Sequence, residues 1–311
     1  MKAGVMTSKG FRFEERELPS PGAGEVLVQS ISCGICEGEV YRYNQLRESA
    51  SGDALLLGHE GSGLIAATGP DVTGWKTGDV VTTSLGGAYS EYFTVPSDRL
   101  VRLPPGVSPK WAVGEAVACC AYSAKNARIR PGDRVAVLGC GFMGQLITAF
   151  AKLLYKAGSV TVVDPVSWRS KTAGRYGADE CVTDAGPLDS GSFDVVIEAA
   201  GASAALDDAT RLAAGHGRLT IVGYHQSGGG IRSVNMQQWN LKSLEVTSGH
   251  CRRPLWKRQE LENILPLLES GQVDLKRLVT PYAFADIEQA FHDISSRREG
   301  LVKAAVQFTA P

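Results

Sequence analysis

The chain has 311 residues, 43% hydrophobic and 21% charged, which fits a globular protein of about two domains at roughly 150 residues each. Thirty-two lysines and arginines against 33 aspartates and glutamates leave a net charge of −1, which excludes a nucleic-acid binder relying on bulk electrostatics. The longest apolar run, Ala116 to Tyr122, is far short of the ~20 residues of a bilayer span, and no signal-peptide stretch follows Lys2. Seven cysteines without a regular framework read as reduced thiols or metal ligands rather than disulfides. The expectation is a cytoplasmic protein with no membrane and no nucleic-acid partner.

Residues 1 to about 115 read as β-rich. A strand is predicted at Val26 to Ile31, with shorter ones at Gly63 to Ala67, Asp79 to Thr83 and Glu91 to Val95. Turn residues at Gly69-Pro70-Asp71 and Gly74 separate them, and Pro104-Pro105-Gly106 closes the region. Short strands at this spacing suggest a barrel or sandwich. Beyond Gly106 the pattern changes. A helix at Ala112 to Arg128 is followed by strands at Val135 to Leu138, Val160 to Val163, Asp194 to Glu198, Arg218 to Val222 and Leu244 to Thr247. Helices at Met143 to Lys156, Ser167 to Tyr176 and Ala202 to Ala214 alternate with them, the pattern of a parallel sheet covered on both faces. A last helix, about Lys257 to Ser270, leads to a mixed tail, whose strand at Lys303 to Phe308 is placed to return to the first domain.

The sharpest local motif is Gly139-Cys140-Gly141-Phe142-Met143-Gly144, directly after an apolar strand and before a helix. Gly139 would make the tight turn and Gly141 admit a pyrophosphate, while Gly144 would let helix and strand pack closely. The next strand ends in Asp164, twenty residues past Gly144, at the spacing of an acid that accepts from the adenosine ribose hydroxyls. A carboxylate there repels a 2′-phosphate, so NAD is favoured over NADP. Arg169 could pair with that phosphate, or be an exposed helix arginine.

Three pieces of the first 120 residues hold candidate metal ligands: Cys33-Gly34-Ile35-Cys36-Glu37-Gly38-Glu39, Gly58-His59-Glu60-Gly61 and Gly114-Glu115-Ala116. Sulfur, imidazole and carboxylate together suit zinc, although a solvent-facing His-Glu turn and a small core cysteine are open alternatives.

The order of these pieces, followed by Pro131-Gly132-Asp133 and the glycine motif, resembles the zinc-dependent medium-chain dehydrogenase/reductase family, in its sorbitol and threonine dehydrogenase branch. Gly74 to Val81, Ala88 to Tyr92 and Asp194 to Gly201 extend the resemblance over nearly the whole chain. It implies a co-chaperonin-like β-barrel catalytic domain at 1–115 and 256–311 and a Rossmann NAD(P)-binding domain at 116–255, with the active site in the cleft. Carried over, Cys36 and His59 are metal ligands, Glu60 is a ligand or its close neighbour, and Glu115 takes the glutamate position of the polyol branch. One catalytic zinc per chain and a homodimer or homotetramer follow from the same resemblance. The dimer edge is expected within Ile231 to Thr247.

Departures from the family are equally specific. Only six residues separate Asp79 from Gly86, so the cysteine-rich lobe that binds a second, structural zinc is missing. Where the family's proton relay carries a hydroxyl, an aspartate and a histidine, this chain has Gly38, Glu39 and Tyr41. Glu39 can still hydrogen-bond near the metal; a substrate hydroxyl, a water or Tyr41 would have to relay the proton. His225 is placed where loops border the nicotinamide, and His250 follows another strand. The implied activity is hydride transfer between a secondary alcohol or polyol, or the matching ketone, and a nicotinamide cofactor. A zinc-free reductase acting on an enone or a biosynthetic intermediate, and a non-catalytic nucleotide-binding protein, stay open beside it.

Overall fold

The computed structural model describes residues 1–49 and 52–308. They form two compact units, Met1–Ala118 with Arg253–Pro311, and Cys119–Arg252.

The first unit opens with a hairpin, β1 (Lys2–Thr7) and β2 (Gly10–Glu15), and continues through β3 (Glu25–Gly34) to helix α1 (Glu37–Glu48). Strands β4 (Ala54–Leu55), β5 (Glu60–Thr68), β6 (Val80–Thr83), β7 (Tyr92–Pro96) and β8 (Leu100–Arg102) follow, and α2 (Gly114–Asn126) carries the chain into the second unit. There β9 (Arg134–Leu138), α3 (Phe142–Leu153), β10 (Ser159–Val163), α4 (Ser167–Ala173) and β11 (Glu180–Val182) make the first half. The second half is β12 (Phe193–Glu198), α5 (Ser203–Leu212), β13 (Ala213–Ile221), α6 (Met236–Lys242) and β14 (Glu245–Ser248). The chain returns to the first unit through α7 (Pro254–Glu269), β15 (Val279–Ala283), α8 (Ile287–Ser295) and β16 (Lys303–Gln307).

The main sheet of the first unit has the order β15-β16-β3-β5-β6-β8, with β7 on β3. Strand β3 is the hub because its alternating side chains, Val26, Val28 and Cys33 among them, enter a core shared with Tyr89, Phe93 and Phe291. The C-terminal strand β16 pairs antiparallel with β3, Ala305 opposite Gly34, so the two chain ends share one sheet. The connection 84–91 joins β6 to β7 directly.

The second unit is a six-stranded sheet in the order β11-β10-β9-β12-β13-β14, parallel throughout. The sequence order reverses at central β9, which is where a doubly wound sheet opens a crevice beyond its strand ends. Val135, Ala136 and Val137 are fully buried, as a central strand covered on both faces requires.

Pattern reading passed over the β1–β2 hairpin, α1, α6, α8 and β15. Helix α1 shows why. Its buried apolar side chains are only Val40, Tyr43 and Leu46, set among Glu37, Glu39, Arg42 and Arg47, too thin a stripe to mark a helix. Among the described residues no helix is long and apolar enough to cross a membrane.

Candidate metal centre and dinucleotide site

Three chain segments of the first unit converge. Cys36 is the N-cap of α1, and Glu39 in that helix's first turn reaches back to the Cys36 N–H at 3.3 Å. His59 and Glu60 lie at the start of β5, whose Glu60 pairs with Gly34 at the end of β3. Candidate ligand atoms of Cys36, His59 and Glu60 all lie within 4.8 Å of one another. Gly34 is required for this convergence. A Cβ there would stand 2.0 Å from Glu60 Oε2.

Each ligand is held from behind. The His59 Nδ1–H donates to Glu39 Oε1 at 2.9 Å, since a carboxylate can only accept, and this leaves Nε2 as the free donor atom. Glu39 Oε1 also accepts from the Gly58 N–H at 2.8 Å, and Oε2 accepts from the Tyr89 hydroxyl at 2.5 Å. Glu39 is 5% exposed, and burial raises its pKa, but the bonds from His59, Tyr89 and Gly58 prevail and hold it below the usual carboxylate value. Burial and the Glu39 charge push the Tyr89 phenol well up, so it stays a donor.

Behind Glu60 stands Lys303 of β16, whose ammonium donates to Oε1 at 2.6 Å. Burial opposes the Lys303 charge, yet Glu60 and Cys36 raise its pKa; burial likewise pushes the Glu60 carboxyl up against the pull of Lys303. Glu60 Oε2 is buried with no hydrogen-bond partner among the described residues. An orphaned buried carboxylate oxygen beside a thiol and an imidazole fits a ligand set for zinc, and not for a hard cation such as magnesium. Electrostatics agree. Burial works against charge on the His59 ring, yet its bonds to Cys36 and Glu39 outweigh it and push the imidazole up to about 11. The surrounding anions demand positive charge at this point, and a divalent cation on Nε2 would meet the same demand.

Glu115 stands at the edge of the trio. Its Oε2 is 4.0 Å from His59 Nε2, while Oε1 accepts from Lys257 of α7. The other cysteines stay apart. Cys33 is fully buried in the sheet core despite its Cys-x-x-Cys spacing, and Cys119 and Cys120 sit within α2.

Glu39 and Tyr41 were expected to take part in catalysis. Glu39 hydrogen-bonds beside the candidate ligands and receives four protein donors, His59 among them. Tyr41 is 40% exposed on α1, and no hydrogen bond joins it to the trio among the described residues. Tyr89, Lys257 and Lys303 went unread, because each lies far from the ligands in sequence and only the sheet brings it close. Tyr89 alone had a local signal, in Ala88 to Tyr92.

In the second unit the glycine turn follows β9. Gly139 has φ +96°, a Cβ on Gly144 would stand 1.9 Å from the Gly139 carbonyl, and one on Gly141 would meet nothing within 4 Å. Tight turn, close packing and an open approach to the helix N-terminus are thus divided among three glycines. Phe142 and Met143 form the first turn of α3. Asp164, 4% exposed, accepts from the Cys140 N–H at 2.7 Å and the Val166 N–H at 2.9 Å, bracing the glycine turn from the end of β10. The Arg169 guanidinium lies 5.2 Å over the Trp168 ring, so it is not the freely exposed arginine of the alternative reading.

His225 has a partner on each ring nitrogen. Arg232 Nε donates to its Nδ1 at 2.9 Å, so Nε2 carries the proton and donates to Glu198 Oε2 at 3.0 Å. Both ring nitrogens are engaged within the protein, and the ring serves to hold its own loop. Glu198, fully buried, also accepts from the Ala200 and Gly201 N–H groups, which closes the turn after β12.

Removing Lys303 should expose how much the metal centre depends on charge balance. Lys303→Met leaves Glu60 as a buried uncompensated carboxylate and should cost the metal-free protein about 3 kcal/mol of stability, read as a lowered urea midpoint.

Residues 22–105 match the family model for the alcohol dehydrogenase GroES-like domain, and residues 143–270 match that for zinc-binding dehydrogenase. A 2-dehydro-3-deoxy-L-galactonate 5-dehydrogenase of Pseudoalteromonas atlantica is 26% identical over 345 aligned positions, covering 97% of either chain. A sorbitol dehydrogenase of Halalkalibacterium halodurans is 27% identical, covering 95% of this chain and 96% of its own. Among solved structures, an alcohol dehydrogenase from Escherichia coli CFT073 complexed with NADH superposes with a TM-score of 0.87 over 99% of each chain, at 23% identity.

Proposed function

The chain belongs to the zinc-dependent medium-chain dehydrogenase/reductase family, and we propose on that premise that it moves a hydride between a secondary alcohol or polyol, or the matching ketone, and a nicotinamide cofactor. The observation that carries this reading is the buried, unpartnered Glu60 Oε2 beside Cys36 and His59. The sorbitol and galactonate-derivative dehydrogenases among its relatives support the substrate class.

Cys36, His59 and Glu60 would hold one zinc ion per chain, with Glu115 poised at its edge. Bound there, zinc supplies Lewis-acid polarisation of a substrate oxygen. The chain's own residues set the geometry. Glu39 fixes the His59 tautomer, and Lys303 donates to Glu60 Oε1, balancing the charge of the buried carboxylate while Oε2 stays available to ligate. Lys257 does the corresponding work at Glu115 Oε1. Gly38 has no hydroxyl to pass a proton, so the route out runs through substrate or water.

The first turn of α3 at Gly141, Phe142 and Met143 would take the cofactor pyrophosphate, and Asp164 the adenosine ribose. Asp164 has one N–H on each oxygen, which leaves a lone pair on each for the ribose hydroxyls. Related structures were solved with NADH and with NADP, so the preference for NAD rests on Asp164 alone. Cytoplasmic residence and a homodimer, or a tetramer of dimers, complete the reading. Strand β14 is an edge of the six-stranded sheet, and the segment leading to it exposes Ile231 (81%) and Leu241 (73%).

Cys36→Ser and His59→Ala should each lose zinc, measured by elemental analysis, and hydride transfer should fall by several orders of magnitude while NAD binding survives. A folded, zinc-free variant turning over at near the wild-type rate would sink the zinc mechanism and favour the enone-reductase reading. Asp164→Ser should weaken NAD and improve relative use of NADP. A wild-type preference for NADP by about tenfold, ~1.4 kcal/mol, would refute the role of Asp164. Light scattering should show a dimer or tetramer; a monomer at micromolar concentration would contradict the assembly.

A further inference from the structure

We propose that Tyr89 is a positioning residue of the metal centre, holding His59 and Cys36 in ligating register through the Glu39 carboxylate. The inference rests on reading Cys36, His59 and Glu60 as metal ligands.

Glu39 accepts four hydrogen bonds, and their origins differ. Cys36 N–H, Gly58 N–H and His59 Nδ1–H belong to the two ligand segments themselves. They tie Glu39 to the ligands but do not fix it against the rest of the unit. The Tyr89 hydroxyl, at 2.5 Å from Oε2, is the one donor from a third segment. That segment is anchored independently of Glu39. Tyr89 is fully buried, its carbonyl accepts from the Gly4 N–H of β1 at 2.8 Å, and the neighbouring Ser90 carbonyl accepts from the Ser30 hydroxyl of β3 at 2.5 Å. Its ring meets Phe291 edge-on at 5.9 Å and Phe11 at 6.4 Å.

A glutamate needs such a pin. It has one more rotor than the aspartate of the family pattern, so the carboxylate has more positions to lose on ordering. Without the phenol, Oε2 keeps only the long 3.3 Å bond from Cys36. The ring of His59 would then be held by a carboxylate free to swing.

Tyr89→Phe removes the hydroxyl and keeps the ring in its aromatic cluster. Zinc affinity, measured by chelator competition, should fall about tenfold to a hundredfold, the usual cost of losing a group behind a ligand. The visible spectrum of the Co2+-loaded protein should shift, because the imidazole no longer meets the metal in one orientation. Tyr43→Phe is the matched control. Tyr43 shares the cluster with Phe11 and Phe291, but its hydroxyl bonds Glu288, so affinity and spectrum should stay as in the wild type. Wild-type affinity and an unchanged Co2+ spectrum in Tyr89→Phe, or an equal loss in Tyr43→Phe, would overturn the proposal. Should Tyr89→Phe not fold, Glu39→Asp withdraws the carboxylate from Tyr89 by one methylene and should show the same loss; undiminished affinity there overturns it. A wild-type protein that takes up no zinc would overturn the metal reading along with it.

Discussion

One carboxylate organises the metal centre. Glu39 sits in the first turn of α1, one helical step from Cys36, and its two oxygens gather the Cys36 N–H, the Gly58 N–H, the His59 ring and the Tyr89 hydroxyl. An ionised carboxylate offers about four lone-pair sites, and here each has a donor. The arrangement joins α1, the start of β5 and the connection 84–91 at a single buried point. Its consequence is chemical as much as structural. His59 is committed to the tautomer that leaves Nε2 free, and the Cys36 backbone is held where its sulfur faces that nitrogen.

Charge balance sets the second constraint. Glu39, Glu60 and Glu115 are all buried within one site, and isolated buried carboxylates would be forced towards their neutral forms. Lys303 and Lys257, from β16 and α7, each neutralise one of them. Both lysines occupy a single oxygen of their carboxylate. Glu115 Oε2 lies 4.0 Å from His59 Nε2. The two ammonium groups offset part of the cost of burying these carboxylates.

The dinucleotide unit works by backbone geometry rather than by charge. Three glycines divide the turn, the close approach and the helix packing among themselves, and Asp164 braces the turn from the neighbouring strand end. Glu198 does the equivalent at the end of β12, on the other side of β9, where it also accepts from His225, itself held by Arg232. Buried acids at the ends of β10 and β12, the two neighbours of β9, keep the loops there in fixed shapes.

What the sequence determined by itself was whatever is encoded locally. The glycine motif, the acid twenty residues on, the alternation of strands and helices, and the His59-Glu60 and Cys36 pieces are all written in neighbouring residues, so spacing exposes them. Tertiary structure decided the rest. Glu39 was legible as a polar group near the metal, but its saturation by four donors depends on Tyr89, fifty residues away. His225 was legible as a loop histidine beside a strand end; only the folded loop shows Arg232 and Glu198 on its two nitrogens. Lys303 carried no signal at all, because the contact to Glu60 spans 243 residues and exists only through the pairing of β16 with β3. Hydrogen bonds to a buried carboxylate reach about 3 Å, and which donors come within that reach is a property of the assembled sheet, not of the order of residues along the chain.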